Sequence, residues 1–201
     1  MPRLEFFYDC SSPWTYLAFH RIEDVAAAAS AELVWRPILV GGVFNSVNPS
    51  VYENRAKPVP AKAAYYKKDL ADWARLYGLR IGQPPVFPVN SVKAMRAALI
   101  AEEQGSISAW SRAVFERYWG DLEDISQDAV LEAIAQRVGL DWAEISTRIQ
   151  DPATKQKLRD NTDELIARGG FGSPTMFVNG DDMYFGNDRL PLVERTLADA
   201  R

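Results

Sequence analysis

Strand-like runs stand only towards the two ends of this chain, and that placement limits its possible folds more than any other feature. Residues 4–8 ("LEFFY") are short, apolar and aromatic, and residues 31–39 ("AELVWRPIL") form a second such run. A helix is expected between them over residues 13–29. Ser12 suits its N-cap, because the hydroxyl can accept from an unpaired N–H of the first turn. Pro13 suits the first helical position, where its missing N–H costs little. A helix between two strands makes parallel pairing the expected arrangement. Towards the other end, residues 175–178 and 182–185 read as strands joined by a turn at Asn179, Gly180 and Asp181, and a helix follows over residues 190–200.

The middle reads as helical. Residues 41–60 are an exception, rich in glycine, asparagine and proline, and are expected to be a loop carrying aromatic residues. Helices are expected over 61–77 (ended by Gly78), 91–103, 107–119, 127–138, 141–150 and 152–168. Asp141 and Glu144 have the spacing of a capping box. "IGQPPVFPVNS" interrupts the helices with three prolines. The order is β-α-β, a helical block of about 100 residues, then β-β-α, which predicts an α/β core carrying a helical insertion.

Composition narrows the chemistry. The 201 residues, 47% hydrophobic and 25% charged, suit one compact domain or a domain with an insertion. A net charge of −4 gives no electrostatic footprint for nucleic acid or an anionic membrane surface. No apolar run approaches the roughly 20 residues of a membrane span. "MPRLEFFYD" has no apolar signal core, so a cytoplasmic location is expected. One cysteine excludes an intrachain disulfide, and one cysteine with one histidine argues against a structural zinc site; no metal is expected.

"FYDCSSPWTYLAF" resembles the N-terminal motif of DsbA-related proteins that lack redox cysteines, namely the kappa-class glutathione transferases and the 2-hydroxychromene-2-carboxylate isomerases. Redox members have Cys-Pro-x-Cys where this chain has Ser12, Pro13, Trp14 and Thr15. "KPVPAKAAYYKKDLADWARLYGL", "PPVFPVNSVKAMRAAL", "GGFGSPTMFVNG" and "FGNDRL" are similar to later segments of the same group, in the same order. The resemblance implies a thioredoxin-like fold with an α-helical insertion of the DsbA/kappa type. Residues 1–40 and 152–201 would form the thioredoxin-like domain, and residues 41–151 the inserted helical domain with a substrate-side loop.

The resemblance implies glutathione as cofactor, a small aromatic substrate and a homodimer. At Ser12, physical chemistry agrees: a helix N-terminus favours an anion, and a thiol that titrates near 8.5 when free would shift towards thiolate there. The Ser12 hydroxyl would donate to that sulfur, a role compatible with capping. Ser173 and Pro174 in "GSPT" match the cis-proline loop, with the Ser173 backbone pairing to the bound peptide. Asn187 and Asp188 match the turn that meets the γ-glutamyl end; Asp188 is equally suited to cap the last helix. Asn54 and Asn48 compete for the glutathione- or substrate-binding asparagine of residues 41–62. Asn45 stands where relatives tend to have lysine, a natural partner for a substrate carboxylate; Lys57 and Lys62 are candidates to supply the missing charge. Phe87, Asn90 and Trp119 are candidates for the substrate pocket, with Asn90 equally suited to fixing its loop. Tyr65, Tyr66, Trp73 and Trp110 are expected mostly in the core.

Four functions follow. The leading one is a glutathione-dependent isomerase of 2-hydroxychromene-2-carboxylate type, giving a trans-o-hydroxybenzylidenepyruvate-like product in aromatic-compound catabolism. The others are a kappa-like transferase, a thiol-disulfide protein using Cys10, and a glutathione-binding protein without turnover. Cys10 is expected to be a buried packing residue, and His20 to be core or surface.

Overall fold

The computed structural model describes residues 1–200. The elements are β1 (Arg3–Tyr8), α1 (Pro13–Ala28), β2 (Glu32–Pro37), α2 (Val40–Val47), α3 (Ser50–Ala56), α4 (Pro60–Leu76), α5 (Val92–Glu103) and α6 (Ile107–Phe115). A π-helical turn (Glu116–Gly120) follows, then α7 (Asp128–Val138), α8 (Trp142–Arg148), α9 (Pro152–Ala167), β3 (Thr175–Val178), β4 (Asp182–Phe185), a 3-10 turn (Asn187–Arg189) and α10 (Leu190–Asp199).

The four strands form one sheet in the order β2-β1-β3-β4. β1 runs parallel to β2 and antiparallel to β3, and β3 is antiparallel to β4. Phe6 lies opposite both Trp35 and Met176. Every β1 residue except Arg3 is buried, because helices cover both faces of the sheet. Alternation divides its side chains. Leu4, Phe6 and Tyr8 join the main core under α1, α5 and α6. Phe7 joins Ile38, Val43, Leu165 and Phe177 on the other face.

The sequence-based expectations for the strands and most helices match these elements to within about two residues. Residues 41–60 differ: the expected loop is two helices, α2 and α3. Tertiary contacts override the poor propensity of "VGGVFNSV". Leu39 N–H donates to Thr162 Oγ1 (3.0 Å) and Val40 N–H to Asp9 Oδ2 (2.9 Å), fixing the first turn. Gly42 lets α2 lie close to α9: a Cβ there would stand 3.3 Å from Thr162 Cγ2. The expected helix 107–119 is α6 followed by the π-helical turn. The capping box of α8 is one-sided. Asp141 accepts from Ala143 N–H (2.8 Å), but Glu144 turns away to Arg148 (3.1 Å) and Gln104 (3.2 Å).

Tyr65 and Tyr66 are also corrected. They are 63% and 44% exposed on α4, which buries only Ala74. Trp110 and Trp119 are core residues, and Trp73 is half-buried.

Candidate active site

The site forms where β1 hands over to α1. Asp9 C=O accepts from Ser12 N–H (3.2 Å), which closes a tight turn over residues 9–12. Ser12 has extended backbone and caps α1: its Oγ accepts from Thr15 N–H (3.3 Å). The same hydroxyl donates to Ser173 O (3.1 Å), on the far side of the chain's long helical excursion. Ser173–Pro174 is a cis peptide bond. Ser173 Oγ shares a hydrogen with Thr15 Oγ1 (2.7 Å) and accepts from Asp9 N–H (3.0 Å). The two positions that carry cysteine in redox relatives are therefore both tied to Ser173.

Cys10 points elsewhere. It is 1% exposed, its N–H faces Met95 Sδ (3.5 Å), and its C=O accepts from Trp119 Nε1 (2.9 Å). Burial, reinforced by the neighbouring Asp9 carboxylate, pushes its thiol well above the usual range, so it stays protonated near neutral pH. His20 stacks on Tyr77 at 6.3 Å, and its imidazole is held below its usual value by burial and by Arg112 and Arg21.

Beside the Ser12 turn lies a groove of about 540 Å³, within the usual range for small-ligand sites. Ser173, Pro174 and residues 185–189 form one wall; Trp14 of α1 and Tyr65, Asp69 and Trp73 of α4 form the other. Asn187 is 2% exposed, and its Nδ2 has no hydrogen-bond partner at ordinary distance, although the Tyr77 phenol faces it. Asp188 pairs with Arg189 (2.9 Å), and Arg189 rather than Asp188 occupies the cap position of α10. The turn requires Gly186, which has φ +102° and would place a Cβ 2.7 Å from Asp188 Oδ1.

A second cluster stands on α2, α3 and the proline-rich segment. Phe87 meets Trp119 edge-on at 6.0 Å. The exposed Arg55 guanidinium lies 5.3 Å from the Phe87 ring centre and 5.5 Å from that of Phe44. Asn45 Oδ1 accepts from Tyr52 Oη (2.8 Å). Asn48 Nδ2 donates to Phe171 O (3.1 Å), and its Oδ1 accepts from Ser50 Oγ (2.9 Å). Asn90 Oδ1 accepts from Val92 N–H (3.1 Å) and so fixes its own segment at the start of α5. Asn54 is exposed on α3.

The family model described as DSBA-like thioredoxin domain matches residues 3–198. The chain belongs to this family. Among DSBA-like relatives, it is 30% identical to a 2-hydroxychromene-2-carboxylate isomerase of Sphingobium xenophagum, with 98% of each chain covered. It is 27% identical to glutathione S-transferase kappa 1 of Rattus norvegicus over 98% of this chain and 91% of that one. A solved structure of a 2-hydroxychromene-2-carboxylate isomerase superposes with a TM-score of 0.83 at 25% identity, covering 98% of this chain and 95% of the other. These relatives are enzymes, and this DSBA-like chain is an enzyme of the same family.

The groove of this DSBA-like fold brings together Ser173, Pro174, Asn187 and Asp188, with Ser12 bonded to it through Ser173 O. Asn45, Asn48, Asn54, Phe87, Asn90 and Trp119 do not line it; Phe87 and Trp119 instead belong to the Arg55 cluster, joined to the Ser12 turn through Cys10 O. Lys57 is exposed, and Lys62 lines a shallow neighbouring cleft with Tyr65, Tyr66 and Asp69. Sequence pattern singles out neither Arg55 nor Asp69, because a charge on an exposed helix reads as solvated. An arginine one residue after a candidate asparagine was the available signal for Arg55.

Proposed function

We propose that this chain is a glutathione-dependent isomerase of the 2-hydroxychromene-2-carboxylate type. The observation that carries the glutathione assignment is the buried Asn187 amide in the groove wall, whose Nδ2 has no acceptor at ordinary hydrogen-bond distance and only the Tyr77 phenol facing it. A native interior pairs such groups, and the carbonyl or carboxylate of a peptide-like ligand would complete this one. The neighbouring Asp188 and Arg189 offer both charges to a zwitterionic γ-glutamyl end. Relatives at 30% identity support the isomerase assignment.

Held by Ser173, Asn187, Asp188 and Arg189, glutathione would supply a thiolate for reversible nucleophilic addition to an unsaturated substrate, chemistry with no net redox change. The protein's part is to bind, orient and hold charge. The first turn of α1 favours the anionic sulfur. The Ser12 hydroxyl turns from Ser173 O to donate to it, while Thr15 and Ser173 keep the cap and the cis-proline loop in register. Arg55, over two aromatic rings, is suited to a substrate carboxylate and takes the role left open at Asn45. A homodimer and a cytoplasmic location belong to the same proposal; among the described residues no helix is long and apolar enough to cross a membrane.

The test is calorimetry with glutathione, followed by assays with 2-hydroxychromene-2-carboxylate and with a halonitrobenzene. Glutathione-dependent isomerisation that falls about 100-fold in kcat in Ser12→Ala supports the proposal. Conjugation without isomerisation would make the chain a kappa-like transferase. Binding with neither activity would reduce it to a glutathione carrier.

A further inference from the structure

Among the described residues two acidic side chains are buried, Glu5 and Asp9. Glu5 meets Arg36 (3.2 Å) and Arg168 (2.8 Å). Asp9 is 1% exposed and has no cationic partner among the described residues. Burying a carboxylate without a counter-charge costs several kcal/mol unless donors surround it.

The donors come from three parts of the chain. Asp9 Oδ1 accepts from Ser11 N–H (2.9 Å), and Oδ2 accepts from Val40 N–H (2.9 Å) and Ser91 Oγ (3.1 Å). Its backbone N–H and C=O hold Ser173 Oγ and Ser12 N–H. One residue thus joins the Ser12 turn, the start of α2, the start of α5 and the cis-proline loop. Burial pushes its carboxyl up, while the Ser11 and Val40 amides and the Ser91 hydroxyl act against that rise. The titratable groups that feel its charge, Cys10 beside it, Tyr8 on β1 and Tyr118 on the π-helical turn, are all pushed upwards and stay neutral near pH 7.

We propose that Asp9 is a positioning residue for the reaction, fixing the Ser12 turn against the cis-proline loop and in register with the substrate-side helix α2. The inference rests on the glutathione assignment of the groove. It requires a carboxylate rather than its amide. Oδ1 and Oδ2 each face a backbone N–H, so an asparagine would turn its NH₂ against one of them whichever way it sat. Either the Ser11 tie or the Val40 tie would break, at nearly unchanged volume.

The experiment compares wild type, Asp9→Asn and Ser91→Ala. It titrates the ultraviolet thiolate band of bound glutathione and measures kcat, KM for glutathione and the melting curve. In Asp9→Asn the bound thiol should titrate about one unit higher, and kcat should fall about 10- to 100-fold. KM for glutathione should change less than about threefold, since the Asn187 and Asp188 end of the groove is untouched. Ser91→Ala removes one donor and should move the thiol and kcat the same way by about two- to threefold. If Asp9→Asn does not fold, an unchanged thiol titration and kcat in Ser91→Ala overturns the proposal. So does a lowered melting temperature in Asp9→Asn with thiol and kcat unchanged, which means a structural role. A thiol that titrates lower in Asp9→Asn overturns it too, because the carboxylate would then act only as an opposing charge. A wild type with no bound thiolate overturns the glutathione assignment itself, and the inference with it.

Discussion

Gly186 shows how little room the residue scale leaves. Its φ of +102° suits glycine, and a Cβ would press on Asp188 Oδ1. Gly186→Ala should therefore displace the Asp188 carboxylate and weaken glutathione binding about tenfold, with a cost of about 1–3 kcal/mol in backbone strain. Isothermal calorimetry reads the first effect and a urea midpoint the second. Legibility at this scale followed local chemistry. Ser12 was readable because cap and proline preferences mark a helix start. The partner of its hydroxyl, Ser173 O, was not, because nothing near Ser12 encodes a contact 161 residues away. Asn187 and Asp188 stand out through resemblance; the burial of Asn187 Nδ2 with no acceptor at ordinary distance is visible only in the structure. Tyr65 was misread as core, since helical spacing of aromatics does not tell a groove wall from an interior.

At the scale of elements, α2 was the least legible. Two glycines and an asparagine argue for a loop, and the helix exists because Asp9 and Thr162 hold its start and Gly42 admits α9. Gly42→Val should wedge α2 from α9, where the added Cβ would meet Thr162 Cγ2 at 3.3 Å. The expected loss is about 1–3 kcal/mol, read as a lower urea midpoint. The π-helical turn was equally hidden. It ends α6 early and accompanies a Trp119 whose Nε1 reaches Cys10 O, a detour that helix propensity does not report.

The whole molecule was the most legible scale, because element order alone implied a sheet assembled from both ends. Glu5 lies at the centre of that assembly. Its carboxylate joins Arg36 of β2 and Arg168 beyond α9, and Arg168 also reaches Gly180 O in the β3–β4 turn. Burial tends to raise its pKa, but hydrogen bonds and charge from Arg168, Arg36 and Arg3 outweigh that and hold it below the ordinary value of 4.5. A depressed carboxyl contributes stability that is full above the unfolded pKa and is lost as pH falls through the folded one. Wild type should therefore lose stability below about pH 4.5, and Glu5→Gln should be less stable at neutral pH with a shallower acid limb. Urea denaturation at stepped pH would show a parallel acid slope if Glu5 contributes nothing.

The sheet order also sets a timetable for synthesis. β1 pairs with β2 within the first 37 residues but with β3 only after residue 174 has been made. A ribosome adding about 5–20 residues per second thus exposes one edge of β1 for several seconds or more before its second neighbour emerges. The helices between can fold in that interval, while the groove cannot, because residues 173–189 supply one of its walls. Ligand retention would therefore report translation past residue 189, and products stalled before it would be both empty and prone to pair through that open edge.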